Sequence, residues 1–295
     1  DTYVPRGALL DRNNNPINQT DGETGSFTRE YLYPDLAPVT GYTHPVYGQG
    51  GLEATLDDYL RGEAGNPARL VWWNHILYGQ PPTGLDVRLS IDLGLQEDAD
   101  SALSNYRGAL VLVNAESGEI LAMASHPTYD PNLLDEIGEA LSTDEDAPLL
   151  NRATQGQYPL NADLNALLQE SAPPVIRLPI AEDKEGYATP LEIALLAAAL
   201  SNEGLAPAPR LAQAVNTPQS GWVVLPALGQ AQTLLSAAES RQLVMTFGGD
   251  TAYWQFIVES NEDAIWLLAG ANADWQGTPL ALALVLEDGD IDAAA

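Results

Sequence analysis

Residues 107–125, RGALVLVNAESGEILAMAS, limit the fold of this chain more than any other stretch. Two apolar runs flank three turn residues, Glu116, Ser117 and Gly118. Apolar runs on either side of a short loop that contains glycine are typical of two antiparallel strands. The stretch therefore predicts a β-hairpin that belongs to a sheet.

Later segments predict the rest of an α+β fold. Three apolar runs between residues 252 and 287, AYWQFIV, AIWLLAG and PLALALVLE, are separated by short turns and predict an antiparallel meander. Residues 189–204 begin with a capping box, Thr189 and Glu192, and end at Gly204, so they predict a helix. This helix is apolar nearly all round, which indicates that it is buried. Strands followed by helices and more strands favour helices packed on an antiparallel sheet.

Shorter patterns predict further elements. The first 62 residues are rich in Gly, Pro, Asn and Tyr and predict irregular strands and loops. Periodicity and breaking residues predict the following elements: a helix over Leu52–Leu60, an aromatic amphipathic segment over Ala68–Gly79, a strand over Asp86–Asp92, a helix over residues 93–103, an acidic helix or loop over Asp135–Pro148, and a helix over Ser236–Gly249 that starts with a second capping box.

The charge of the chain excludes several classes of partner. It has 41 acidic and 12 basic residues, a net charge of −29. Nucleic acids and anionic membrane surfaces select clustered Lys and Arg, so neither is a predicted partner. The balance indicates a solvated acidic surface, with selective attraction of cations or of a basic partner as the alternative. The chain has no cysteine, which excludes disulfides, a thiol nucleophile and zinc–thiolate sites.

Six motifs follow one another in a fixed order along the chain. They are Arg6-Gly7 with Asp11-Arg12-Asn13, Tyr47-Gly48 with Gly51-Leu52-Glu53 and Asp57 to Gly62, VRLSIDLGLQ at 87–96, GEILAMASHPTYDPN at 118–132, LLNRATQGQYP at 149–159, and residues 188–209. Together they resemble the class B penicillin-binding proteins, the D,D-transpeptidases of bacterial cell-wall synthesis. The resemblance implies a pedestal-like, dimerisation-type domain over residues 1–85. It also implies a shortened transpeptidase-like domain over residues 86–295, with a five-stranded antiparallel sheet flanked by helices.

The resemblance also says where the catalytic motifs SxxK, SxN and KTG should lie. When the family's YPPGSTFK is carried onto residues 158–165, the serine position holds Ala162 and the lysine position holds Asn165. The chain has a single lysine, Lys184, with Ala181 three residues before it and Glu185 after it, so it forms neither SxxK nor KTG. The expected KTG position, residues 247–253, contains no base. IRLPIAED at 176–183 follows Leu168 so closely that the SxN stretch, which a long insert carries in the family, is predicted to be deleted.

These substitutions predict a pseudo-transpeptidase with no catalytic residue and no cofactor or metal site, because losing the nucleophile of a serine hydrolase costs about a million-fold in rate. The resemblance then implies a scaffold or regulator of cell-wall synthesis at the extracytoplasmic face of the membrane, with an anchor before Asp1. Its partners would be wall-synthesis proteins or membrane partners bound through the pedestal. The alternatives are a peptidoglycan D,D-transpeptidase or carboxypeptidase with residual or altered activity, and a module that binds peptidoglycan non-covalently.

Other chemistries find less support in the sequence. Acidic pairs such as Asp57-Asp58 are expected by chance among 41 acids and do not indicate a glycosidase. His44, His75 and His126 are scattered and lack partners at metal-ligand spacing. We predict that His126, which precedes Pro127, is structural.

Overall fold

The computed structural model describes residues 4–79, 82–170, 186–250, 252–260 and 264–287. Its strands are β1 Leu9–Leu10, β2 Asn18–Asp21, β3 Thr28–Tyr31, β4 Thr43–His44, β5 Gly48–Gln49, β6 Val87–Leu89, β7 Arg107–Asn114, β8 Ile120–His126, β9 Tyr158–Pro159, β10 Tyr187–Ala188, β11 Leu205–Ala206, β12 Ala212–Thr217, β13 Gly221–Val224, β14 Gln232–Thr233, β15 Gly248–Gly249, β16 Tyr253–Glu259, β17 Ala264–Ala271 and β18 Leu280–Glu287. Its helices are α1 Ala37–Thr40, α2 Gly51–Thr55, α3 Asp57–Leu60, α4 Ala68–Tyr78, α5 Leu93–Leu103, α6 Leu134–Leu141, α7 Ala162–Glu170, α8 Pro190–Ser201 and α9 Ala237–Val244, with 3₁₀ turns at Pro34–Leu36 and Pro131–Leu133.

The chain divides into two compact units, each built from separated segments. The first unit contains Asp1–Leu93, Thr128–Leu149 and Leu211–Pro226. The second contains Gly94–Pro127, Leu150–Arg210 and Ala227–Ala295. The division of the sequence after residue 85 stays a prediction, and the two later segments of the first unit carry no sequence signal that assigns them there.

The second unit is built on the predicted antiparallel sheet. Its strand order is β15-β16-β17-β18-β7-β8, in which the five long strands β16 to β8 confirm the predicted five-stranded sheet. The hairpin β7–β8 and the meander β16–β18 are as predicted, and β18 joins them by pairing with β7 along its whole length. Helices cover both faces of the sheet. Ala99 and Leu103 of α5 pack on the face that carries Ile265. On the opposite face of β17, Gly270 lies against Ser201 of α8.

Helix α8 has the capped and buried character that its sequence predicts. The Thr189 hydroxyl accepts from the Glu192 N–H at 3.2 Å, and the Glu192 carboxylate accepts from the Thr189 N–H at 2.8 Å. The helix packs against β7, β17 and β18, and all residues from Pro190 to Leu200 except Glu192 are buried. The predicted stop is confirmed by Gly204, whose N–H donates to the Ala199 carbonyl at 2.7 Å.

The first unit contains a sheet that was only partly predicted. Its order is β1-β6-β12-β13, with β1 parallel to β6 and β12 antiparallel to it. The predicted strand over Asp86–Asp92 is confirmed but is limited to β6. Strands β12 and β13 were not predicted, because both are short and because β12, on which β13 pairs, joins β6 from more than a hundred positions away in the sequence.

Three helical predictions differ in detail from the structure. The predicted helix over Leu52–Leu60 is divided at Leu56, whose φ of −101° and ψ of 13° separate α2 from α3. The acidic stretch that starts at Asp135 forms helix α6 over most of its first half. The aromatic segment over Ala68–Gly79, for which no secondary structure was predicted, forms helix α4, and the described part of the chain buries none of its residues.

Candidate functional site

The structure brings the predicted SxxK positions together at the start of helix α7. The Asn161 side chain accepts from the Leu164 N–H at 2.8 Å and thereby caps the helix, while the Leu164 side chain is fully buried beneath it. Ala162 and Asn165 then lie one turn apart on one helix face, and Ala162 is exposed. The geometry of the motif is therefore present, but a methyl group and an amide stand where the family has a hydroxyl and an amine.

The segment that leads into α7 is fixed to the central sheet. Strand β9 pairs with β10, and the Leu160 N–H donates to the Gly186 carbonyl at 2.9 Å. The indole N–H of Trp266, on β17, donates to the Pro159 carbonyl at 3.0 Å. The rings of Tyr158 and Trp266 meet edge to face at 6.0 Å. These contacts set the position from which α7 begins.

Glu287, the last residue of β18, connects three parts of this region. Its carboxylate accepts from Arg152 at 2.8 Å and from the Tyr158 hydroxyl at 2.7 Å, and its second oxygen accepts from Arg107 at 3.0 Å. Partial burial opposes ionisation, but the hydrogen bonds from Tyr158 and Arg152 and the charges of both arginines lower the pKa of Glu287. Burial, and then the charge of Glu287 and its hydrogen bond, raises the pKa of Tyr158 far above its ordinary value, so its hydroxyl stays a neutral donor.

The Glu287 cluster was missed in the sequence. Its one usable signal is the pairing of Glu287 with Arg107 in the register of β18 and β7, which places opposite charges side by side. That register can be assigned only after the last strand has been placed beside the first hairpin. Arg152 lies within one of the six motifs. The sequence does not indicate that its side chain is buried or that it binds Glu287.

The expected KTG position lies at the outer edge of the sheet. Gly248 and Gly249 form β15, which pairs with Gln255 and Trp254 of β16. The chain itself thus occupies the edge of β16 at these two residues. Trp254 is buried, and its indole N–H donates to the Ser201 hydroxyl at 3.0 Å.

Several predicted features lie outside the described residues. Ala181, Lys184 and the IRLPIAED stretch fall there, so the predicted deletion of SxN stays a prediction. Among the described ranges, no group of three or more His, Cys, Asp or Glu side chains could hold a metal ion. In the same ranges no helix is both long and apolar enough to cross a membrane. His126 is buried, and its Nε2 lies 3.0 Å from Asp100.

The first unit contains a buried charged network made from the N-terminal motifs. The Glu53 carboxylate is fully buried and accepts from Arg6 at 2.6 Å, from Arg29 at 2.8 Å and from the Asn18 amide at 2.8 Å. Arg6 also donates to Asp57, and hydrogen bonds from Arg6 and Gln49 lower the pKa of Asp57 although its partial burial opposes ionisation. The motifs RG and GLE are therefore two sides of one network.

Two more motifs have local structural roles in the same unit. Asp11 is buried, and its carboxylate accepts from the N–H groups of Asn13 and Asn15, both at 2.7 Å, which closes the turn of DRNN. Asn132, from the DPN motif, both accepts from and donates to the backbone of Tyr31 at 2.9 Å. Its amide therefore acts as a one-residue extension of the sheet at strand β3.

Two structural features together define the class of protein. One unit contains the buried Glu53 network, and the other contains the five-stranded antiparallel sheet with helix α7. The chain belongs to the class B penicillin-binding proteins. Residues 6–87 match the family model of the penicillin-binding protein A dimerisation domain. Residues 108–160 match that of the penicillin-binding protein transpeptidase domain.

Individual relatives agree with this membership. The chain is 37% identical over 129 residues to peptidoglycan D,D-transpeptidase MrdA of Escherichia coli. The aligned stretch covers 40% of this chain and 20% of that protein. It is 34% identical over 166 residues to peptidoglycan D,D-transpeptidase PbpA of Mycolicibacterium smegmatis. That alignment covers 50% of this chain and 33% of that protein. The matched part is thus a fifth to a third of the length of these curated relatives.

Solved structures show the same fold. The imipenem acyl-enzyme complex of penicillin-binding protein A from M. tuberculosis superposes with a TM-score of 0.81, 19% identity, and coverage of 98% of this chain and 94% of that one. The D,D-transpeptidase domain of a peptidoglycan glycosyltransferase from Eggerthella lenta gives a TM-score of 0.77, 18% identity, and coverage of 99% and 96%. At these identities the likeness establishes the fold.

The relatives overturn one prediction from the sequence. We predicted a pseudo-transpeptidase that is not an enzyme, but the curated relatives are named peptidoglycan D,D-transpeptidases, so the chain belongs to a family of enzymes. The prediction was wrong because it judged the class of the protein from a few motif positions. Acyl transfer requires a nucleophile, a proton acceptor and oxyanion donors, and these groups can come from several elements of a fold. The predictions for individual site residues stay predictions.

Proposed function

We propose that this protein acts in bacterial peptidoglycan synthesis as a D,D-transpeptidase-class enzyme whose acyl-transfer step does not use positions 162 and 165. The observation that carries this proposal is the combination of the dimerisation and transpeptidase matches with curated relatives that are named D,D-transpeptidases. The substrate class is a peptidoglycan stem peptide that ends in two D-amino acids. Transpeptidation and carboxypeptidation share the cleavage of that terminal bond and differ only in the acceptor.

The start of helix α7 is where this chain departs from the family's catalytic pattern. Ala162 and Asn165 offer no nucleophile and no amine base, so a hydroxyl at another position of the chain must attack the peptide carbonyl. The contacts of Tyr158 and Pro159 with the central sheet, and of Leu160 with Gly186, support α7 as a rigid wall of the site. A rigid wall of this kind positions a substrate even where it supplies no reactive group.

The pedestal-like part supports a second aspect of the same function. Its match to a dimerisation domain supports binding to other wall-synthesis proteins, and we propose that the protein acts at the extracytoplasmic face of the membrane, where peptidoglycan is assembled. A pull-down from bacterial membranes with the full chain as bait tests this aspect. Recovery of wall-synthesis proteins by the wild type but not by a variant with a disrupted Glu53 network is the expected result.

Release of the terminal D-amino acid from a synthetic stem pentapeptide tests the enzymatic proposal. We expect release that increases linearly with protein concentration and that is prevented by prior incubation with penicillin. Release that penicillin does not affect would identify a contaminating or unrelated hydrolase. No release, measured beside a penicillin-binding protein that releases the amino acid under the same conditions, would overturn the proposal.

A further inference from the structure

Helix α4 turns its apolar side away from the protein. Val71 and Asn74, three residues apart on one side of the helix, are its only half-buried residues. On the opposite side, Trp72, Trp73 and Ile76 are 61%, 52% and 58% exposed. A surface helix of a globular protein normally has the reverse arrangement, with its apolar stripe toward the core. The orientation of α4 is therefore inverted.

The exposed apolar residues form a continuous surface. At 100° per residue, one side of α4 carries the set that we call the outward stripe: Arg69, Leu70, Trp72, Trp73, Ile76 and Leu77. The apolar members are each 38% or more exposed, and the rings of Trp72 and Trp73 lie 6.3 Å apart. Single exposed apolar side chains are normal, whereas a contiguous patch marks a surface that binds something.

We propose that the outward stripe of α4 binds the interface of a lipid bilayer, with the helix lying in the plane of the membrane. The side chains suit the headgroup layer. Tryptophan and tyrosine have an apolar ring and a polar group, and both are enriched where the acyl chains meet the headgroups. The stripe has two tryptophans, Trp72 and Trp73. Arg69 can extend its aliphatic stem along the acyl region and place its charge among the phosphates.

The surrounding sequence allows this approach to a membrane. No carboxylate lies between Glu63 and Asp86, although the chain has 41 acidic residues. The helix can therefore enter an interface of low polarity without desolvating a negative charge. Its 11 residues span about 16 Å, too short to cross a bilayer but sufficient to lie on one.

Charge favours a lipid surface over a second copy of the chain. Face-to-face association of two outward stripes would bring two Arg69 side chains together and would combine two molecules of net charge −29. Charge also decides which lipids the stripe prefers. The net charge opposes an anionic membrane, so burial of apolar surface must drive binding. We therefore expect tighter binding to zwitterionic phosphatidylcholine vesicles than to vesicles with phosphatidylglycerol, and we expect salt to reduce the difference.

Co-sedimentation of the full chain with phosphatidylcholine vesicles tests the proposal. The double variant Trp72→Ser/Trp73→Ser should lower the partition coefficient at least tenfold, because it removes the largest apolar side chains of the stripe. The matched control is Trp275→Ser, which removes a tryptophan that is 47% exposed in the second unit and should change partitioning less than twofold. Equal thermal unfolding of all three proteins verifies the fold.

A readout on the wild type makes the test independent of the variants. Phosphatidylcholine brominated on its acyl chains should quench tryptophan fluorescence of the wild type, and most of that quenching should disappear in the double variant. Failure of the wild type to sediment with vesicles, or equal partitioning of wild type and double variant, would overturn the proposal. Self-association of the wild type that the double variant loses, without vesicle binding, would identify a second copy of the chain as the occupant and would also overturn it.

Discussion

The guanidinium of Arg6 donates to the carboxylate of Glu53 at 2.6 Å, and Glu53 is fully buried. A second arginine, Arg29, binds the other oxygen of the same carboxylate. A buried carboxylate with two arginine partners is stable only as a complete set, because removing one member leaves uncompensated charge in the interior. The first unit therefore depends on residues from two separate motifs.

Removal of the central carboxylate tests this dependence. Glu53→Ala leaves Arg6 and Arg29 without their shared partner and should lower the free energy of unfolding by about 3–5 kcal/mol. Exposed Glu30 offers a matched control, and Glu30→Ala should change the free energy of unfolding by no more than about 0.5 kcal/mol. Urea unfolding followed by circular dichroism measures both. Similar stabilities of the two variants would contradict the role of the network.

Glu287 should make the stability of the second unit depend on pH. Its folded pKa is lowered below its ordinary value of 4.5, so the folded state binds fewer protons than the unfolded state in that range. The stabilisation is therefore fully present above the unfolded pKa and is lost as the pH falls through the folded pKa. Glu287→Gln should cost about 1–2 kcal/mol at pH 6 and progressively less below pH 4.5, a modest figure because the group is partly exposed.

Urea unfolding at several pH values, with Glu259→Gln as a control at an exposed carboxylate of the same sheet, checks this prediction. A difference between wild type and Glu287→Gln that stays constant from pH 6 to pH 3 would show that the carboxylate charge is not the source of the stabilisation.

The turn of the β7–β8 hairpin requires glycine for two separate reasons. Gly118 has φ of +75°, and a Cβ there would lie 2.1 Å from the Ala208 carbonyl oxygen. Gly118→Ala should therefore destabilise by more than the approximately 1–2 kcal/mol of left-handed backbone strain. Gly221 has φ of +64° and open space around it, so Gly221→Ala isolates the strain. Differential scanning calorimetry should give the larger loss for Gly118→Ala, and equal losses would contradict the close approach.

Restoring the family's groups on α7 tests whether its geometry is intact. Ala162→Ser with Asn165→Lys places a hydroxyl and an amine one turn apart, and we expect acylation by penicillin at least about a hundredfold faster than in the wild type. In the control, Asn165→Lys with Ala166→Ser, the two groups are adjacent in sequence and point in different directions. Stopped-flow or gel-based labelling measures both rates. Equal rates for the two double variants would show that α7 does not face the site.

The sequence predicted those features that depend on local pattern. The β7–β8 hairpin, the α8 capping box of Thr189 and Glu192, and the apolar strands β16–β18 each carry their signal within a few residues. Features that depend on distant pairing were not predicted. Strands β12 and β13 belong to a sheet with β6, and Glu287 binds Arg152 and Tyr158 only because the last strand lies beside the first hairpin.

For the same reason, the sequence predicted the position of the candidate site but not its activity. Motif spacing placed Ala162 and Asn165 on one face of a helix, and the structure confirms that placement. The same motifs suggested a protein without activity, because a motif reports the residues of one known mechanism. It does not report which other hydroxyl or base the fold can bring to the same cleft.

Intact-mass spectrometry of the wild-type protein after incubation with penicillin tests the central claim most directly. An enzyme of the D,D-transpeptidase class that works without positions 162 and 165 should gain the mass of one penicillin molecule. Peptide mapping should locate the adduct on a serine or threonine hydroxyl outside α7. An unchanged mass at saturating penicillin, under conditions in which a reference penicillin-binding protein is fully acylated, would contradict the claim.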